Sequence, residues 1–151
     1  MSSVDELREE ARSFINECQT AVLATVSPEG APLASYAPFV FHEESFYILV
    51  SNLAAHTRNL TTSTQCHVML IRDEGQSPNL FGRQRLSFPC EIESVARENE
   101  QFPAVILAMR ERHGPVVSML ENLPDFVLMR LQPGNGNFVQ GFGRAATIRL
   151  N

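Results

Sequence analysis

The sequence predicts a mainly β, α+β domain in which six or seven antiparallel strands form a small barrel with accessory helices. Three observations predict it. Short runs rich in Val, Ile, Leu, Phe and Tyr recur along the 151 residues, most of them separated by tight polar, Gly or Pro turns. Helical periodicity is confined to the N-terminal segment, a short stretch after Ser51 and the connection between the fifth and sixth runs. The length suits one domain over 1–151, and a hydrophobic content of 44% supplies its core.

Each element has its own signal. Val4, Leu7, Ala11, Phe14, Ile15 and Cys18 repeat at helical spacing, and Ser3 with Glu6 makes a capping-box pair in front of them. From Thr20 the pattern turns to β: the runs 21–26 and 32–41 flank the turn Pro28-Glu-Gly30 and read as a hairpin. A third strand, 46–50, follows the polar turn His42-Glu-Glu-Ser45, and its unbroken apolarity predicts burial on both faces. Leu53 and Leu60 are a helical distance apart, so a short helix follows directly, with Ser51 or Asn52 as its cap. Residues 67–71 form a fourth strand and 83–95 a fifth, where Pro89 implies an edge or a bulge. Residues 97–113 are helical, with Phe102, Val105, Ile106 and Met109 on one stripe and Gly114 as the terminal cap. A sixth strand, 126–131, and a last one, 138–150, are joined by the turn Pro133-Gly-Asn-Gly136.

Composition excludes several function classes. All 12 basic residues are arginine, against 17 acidic residues, for a formal charge of −5. Without lysine there is no Schiff base and no phosphate-loop lysine. The acidic balance and the lack of a basic stripe argue against nucleic-acid binding. No apolar run reaches membrane-spanning length, and the charged N-terminal segment is unlike a secretory signal, so a cytoplasmic location is expected. Cys18, Cys66 and Cys90 are odd in number and form no CxxC pair, so they are expected to be small core residues. No histidine pair has metal-ligand spacing, and no structural metal is expected.

The strongest local signal is the strand-to-helix junction from Ser51 to Arg58. A helix N-terminus presents unpaired amides, and Ser51, His56, Thr57 and Arg58 add further donors. That pattern fits a phosphate cradle, and it equally fits an ordinary capped surface helix. Arg83 and Arg85 occupy alternate positions of one strand and so point the same way, toward an anion or toward solvent. His67, in an apolar strand, reads as an interior residue, and His113 suits a helix C-terminus. Asp125 reads as a turn residue. Gly141 and Gly143 inside a strand suggest a bulge or room for a ligand beside Arg144.

Ser35-Tyr-Ala-Pro-Phe39, Ser51 to Leu60, Arg83-Gln-Arg-Leu-Ser87, Leu123-Pro-Asp-Phe126 and Gly141-Phe-Gly143 occur together in family order. In these motifs the chain resembles the pyridoxamine 5′-phosphate oxidase-like FMN-binding split barrels, specifically their haem-utilisation branch, from about residue 14 to residue 144. The resemblance implies a split barrel that forms a homodimer, with two cofactor sites at the subunit interface. It implies FMN contacts at Ser35, Ser51, Asn52, His56, Thr57, Arg58 and Arg85. In the haem-utilisation branch the same cleft accepts haem, and the positions matching His56 and Asp125 approach each other across the dimer; Arg144 joins them as a candidate for the haem site or the interface. The orthodox oxidases use lysine and tryptophan that this chain lacks, so pyridoxal-phosphate synthesis is not expected. Haem-degrading members carry their iron-ligating histidine after the Gly-Phe-Gly strand, whereas the last histidine here is His113. The expectation is therefore a small FMN-dependent oxidoreductase. A haem-binding or haem-degrading protein is the alternative, and a non-catalytic dimeric binding module is a third.

Overall fold

The computed structural model describes residues 3–151, so the first two positions of the predicted 1–151 domain lie outside it. In chain order the elements are α1 (Val4–Glu17), β1 (Thr20–Val26), β2 (Pro32–His42), β3 (Ser45–Ser51), α2 (Ala55–Thr62), β4 (Gln65–Ile71), β5 (Arg85–Val95), α3 (Phe102–His113), α4 (Val116–Glu121), β6 (Phe126–Pro133), β7 (Gly136–Gly141) and β8 (Arg144–Ile148). The strands run in the order β4-β1-β2-β3-β6-β5, and pairing of β4 with β5 closes these six into a barrel. β7 and β8 extend the sheet from β5.

Local chemistry explains the boundaries. Ser3 caps α1 by accepting from the Glu6 amide at 3.1 Å. The two-residue turn between β2 and β3 places Glu43 and Glu44 at φ of 46° and 68°, a left-handed conformation that glycine or asparagine adopts more easily. Arg12 offsets that cost by donating to both oxygens of Glu44 at 2.7 and 2.6 Å, which holds the Glu44 carboxyl below its ordinary range. α3 ends at Gly114, whose φ of +89° suits glycine alone.

Two expectations for the strands are corrected. The last run is two strands, because the chain reverses at Phe142-Gly143, where Gly143 has a φ of +75°. Pro89 is at neither an edge nor a bulge. β5 pairs with β4 along one side over 85–91, while on the other side it changes partner from β7 (residues 85–87) to β6 (residues 90–95). Pro89 occupies the gap between those partners, its carbonyl accepting from Gly134, so its missing N–H breaks no ladder.

The barrel core is aromatic at its centre, with Phe14, Phe39, Phe46, Phe88 and Phe138 fully or almost fully buried. A second cluster forms outside the barrel, where Val105, Ile106 and Met109 of α3 and Val117 of α4 cover Val40, Tyr47 and Leu128. β3 is buried on both faces as its composition implies, with Phe46, Ile48 and Val50 inside and Tyr47 and Leu49 outside. α4 carried no distinct signal in the sequence reading.

Candidate functional site

The junction between β3 and α2 is built around Asp125. As β3 ends, Ser51 donates its hydroxyl to Asp125 Oδ2 at 2.9 Å and accepts from the Leu53 amide at 3.1 Å. The Asn52 amide donates to the Asp125 carbonyl at 2.6 Å. Asp125 is thus more than a turn residue, since side chain and backbone both pin the start of β6 to the chain entering α2. Neither Ser51 nor Asn52 caps the helix, as the sequence had suggested; the cap position is Ala54, and no side chain bonds to the helix end. The first amides of α2 therefore keep their donors free of any side-chain acceptor.

α2 lies over the open end of the barrel and is anchored by two polar contacts. His56 Nδ1 and Ser35 Oγ share a hydrogen bond of 2.9 Å, and Asn59 donates from Nδ2 to Thr25 Oγ1 at 3.0 Å, both partners of the second bond being buried. Leu60 enters the barrel core. Sequence reading missed Asn59 and Thr25, because only the fold brings β1 beneath the helix. The Thr57 hydroxyl is fully buried and has no hydrogen-bond partner among the described residues. An orphaned buried hydroxyl costs about 1–3 kcal/mol, so it calls for an acceptor. Next to it, Arg58 is exposed and its guanidinium makes no ion pair or hydrogen bond among the described residues. Uncapped amides and an exposed guanidinium suit the anionic end of a ligand, whether phosphate or carboxylate.

The other predicted residues are placed elsewhere. Gln65 opens β4 beside α2 and pairs with Glu91, whereas Arg85 pairs with Ile71 at the far end of β4. Six residues of strand separate those pairs by about 20 Å, so Arg85 and Arg58 do not meet within one chain. Arg85 donates to the Arg83 carbonyl at 2.9 Å. Arg83 lies ahead of β5 and does not point with Arg85 from one strand; its Nε and Nη2 donate to the Arg72 carbonyl. Arg144 opens β8, exposed, at the same end as Arg85. Gly141 and Gly143 serve the turn rather than a ligand. His67 is exposed on β4, contrary to its apolar surroundings in sequence, because its neighbours Cys66 and Val68 take the inward positions. His113 donates from Nε2 to the Phe39 carbonyl at 2.7 Å. Among the described residues no group of three His, Cys, Asp or Glu side chains could hold a metal, and no helix is long and apolar enough to cross a membrane.

Burial holds the His56 imidazole below its ordinary value of 6.5. The unfolded chain then binds this proton at higher pH than the folded chain. Stability is expected to fall as pH drops from about 7 through 6.5 toward the folded value. His56→Asn should flatten that part of the profile; equal slopes for wild type and variant in urea titrations from pH 7.5 to 5 would assign the proton elsewhere.

A six-stranded antiparallel barrel with two added strands defines a split-barrel class. The family described as pyridoxamine 5′-phosphate oxidase matches residues 7–140, and the chain belongs to that family. Within it, the chain is 44% identical over 142 residues to heme oxygenase HutZ of Vibrio cholerae serotype O1, covering 94% of this chain and 81% of that one. A crystal structure of HutZ, described as the heme storage protein of Vibrio cholerae, superposes with a TM-score of 0.80 at 42% identity, covering 83% of this chain and 89% of that one. Campylobacter jejuni ChuZ gives a TM-score of 0.89 at 25% identity, over 99% of this chain but 61% of the other. A non-canonical heme oxygenase of Arabidopsis thaliana is 28% identical over 140 residues, covering 91% of this chain and 41% of its own length.

Proposed function

We propose that this protein binds haem, the anionic edge of the ligand being held at the start of α2. The observation that carries this reading is the exposed Arg58 guanidinium, without an ion pair or side-chain hydrogen bond among the described residues, beside the uncapped start of α2. Arg58 can meet a haem carboxylate with two parallel hydrogen bonds, and the uncapped amides at the start of α2 favour the same charge. The exposed Leu53, just ahead of α2, offers apolar surface to a planar ring. The same donors would accept the phosphate of FMN, the cofactor first expected from the sequence. The relatives named for haem turn the balance to the ligand given there as the alternative.

Bound haem would supply the redox-active iron. The chain's own residues bind and orient: Arg58 and the first amides of α2 fix the anionic edge, and Asn59 with Thr25 keeps α2 seated on the barrel. His56, neutral at pH 7 and bonded to Ser35, is available to hold a proton beside the ligand. The proposal includes the homodimer that the family resemblance implies, in which a second copy brings its Arg85 and Arg144 end toward the first copy's α2. A cytoplasmic location completes the proposal.

Titration with hemin should move and sharpen the Soret band at one equivalent per chain, while FMN fluorescence should remain that of the free flavin. Arg58→Ala is expected to weaken hemin binding by about 1.5–3 kcal/mol, a loss on the order of 10- to 100-fold. An unchanged Soret band for wild type, or quenching of FMN in its place, would overturn the haem reading.

A further inference from the structure

We propose that Cys66 and Cys90 form an oxidation site, at which hydrogen peroxide converts the two thiols into a disulfide across the β4–β5 seam. The two residues are direct partners in the register of that seam. Both are buried in the barrel core, and both are free thiols. Direct partners on neighbouring strands project from the same face, so the burial of both side chains puts both sulfurs inside the barrel. Spacing along the sequence gives no hint of this, because the whole loop between β4 and β5 intervenes.

The separation is suitable. The Ile92 amide donates to the Thr64 carbonyl, two positions further along the same seam. By alternation of the antiparallel ladder, Cys66 and Cys90 are therefore also a hydrogen-bonded pair, with Cα atoms about 5.5 Å apart. Disulfides join residues whose Cα atoms are roughly 4.4–6.8 Å apart. Little competes for the sulfurs: among the described residues Cys90 makes only a weak contact to the Phe88 carbonyl, at 3.7 Å. Cys18, partly exposed beyond α1, is outside this pair.

The reaction balances with one peroxide. The sulfur of one cysteine attacks a peroxide oxygen, the O–O bond breaks, and a sulfenic acid and one water form. The second sulfur then displaces the hydroxyl from the sulfenic sulfur, forming the S–S bond and a second water. Two thiols lose two electrons and two protons, and the peroxide is reduced. Burial pushes the Cys66 thiol up to about 12 and the Cys90 thiol higher still, so thiolate is scarce and the reaction is slow. A small oxidant is favoured over a bulky disulfide for the same reason of burial. The product staples the pairing that closes the barrel.

The test uses the whole protein, treated with hydrogen peroxide, quenched, unfolded and alkylated. Untreated protein should take three alkyl groups. Treated protein should take one, at Cys18, with a linked peptide pair containing Cys66 and Cys90 and a mass 2 Da lower before alkylation. It should also melt several degrees higher, a shift reversed by reductant. Cys90→Ser should yield no linked peptide and instead accumulate oxygen adducts on Cys66. The proposal is overturned if treated wild type keeps three alkylation sites, links Cys18, or shows the oxygen adducts of the variant without a Cys66–Cys90 link. None of these readings depends on hemin binding.

Discussion

Phe46→Ala is expected to destabilise the protein by about 3–5 kcal/mol, a large part of the 5–15 kcal/mol by which ordinary domains are stable. Phe46 is completely buried and lies in the middle of the barrel's aromatic cluster. Its ring centroid is 4.9 Å from that of Phe41, 5.5 Å from Phe39 and 5.9 Å from Phe88. These rings come from three strands, so one deletion removes both transfer energy and contacts that join distant parts of the barrel. The backbone around it is held on both sides, by Phe41 in β2 and Leu131 in β6, so the cavity cannot collapse cheaply. Urea unfolding checks this: the midpoint should fall while the slope stays unchanged. Phe46→Leu should lose much less, and a loss below about 1.5 kcal/mol for alanine would mean the site relaxes.

Gly136→Ala should cost about 3 kcal/mol, the upper end of what overpacking one methyl group usually does. Glycine here is not needed for its backbone angle. A Cβ at this position would overlap the Ser87 carbonyl oxygen and the Phe88 ring, so β7 would have to move away from β5. Phe88 is itself in the barrel core, so the clash cannot be passed to solvent. Gly75→Ala is the control: no atom lies within 4 Å of its Cβ position, and its effect should stay within about 0.5 kcal/mol. Equal effects at Gly75 and Gly136 in the same unfolding assay would remove close approach as the cause.

Much of the fold was legible because its signals are local. Ser3 and Glu6 start α1, the stripe Phe102, Val105, Ile106 and Met109 gives α3 its buried face, and the unbroken apolarity of 46–50 marks a strand covered on both sides. These depend on periods of 3.6 and 2, which neighbouring residues reveal. The site was legible in type but not in assignment. Hydroxyl, imidazole and guanidinium groups between Ser51 and Arg58 suggested an anion cradle, and the proposal gives that role to Arg58. Ser51 bonds instead to Asp125, a residue 74 positions away. His67 was misread because an apolar neighbourhood in sequence is shared between two faces of a strand.

The sequence alone determined the mainly antiparallel fold, the hairpin turns and the absence of lysine, because composition and short-range periodicity depend only on adjacent residues. Only the tertiary structure decided what each arginine can reach. It separated Arg85 from Arg58 by the length of β4, spent Arg83 on a backbone carbonyl, and left Arg58 and the buried Thr57 hydroxyl without partners among the described residues. It also set Cys66 opposite Cys90. Such pairings arise from strand register and barrel closure, which are settled by packing across the whole core and leave no trace in the spacing of residues along the chain.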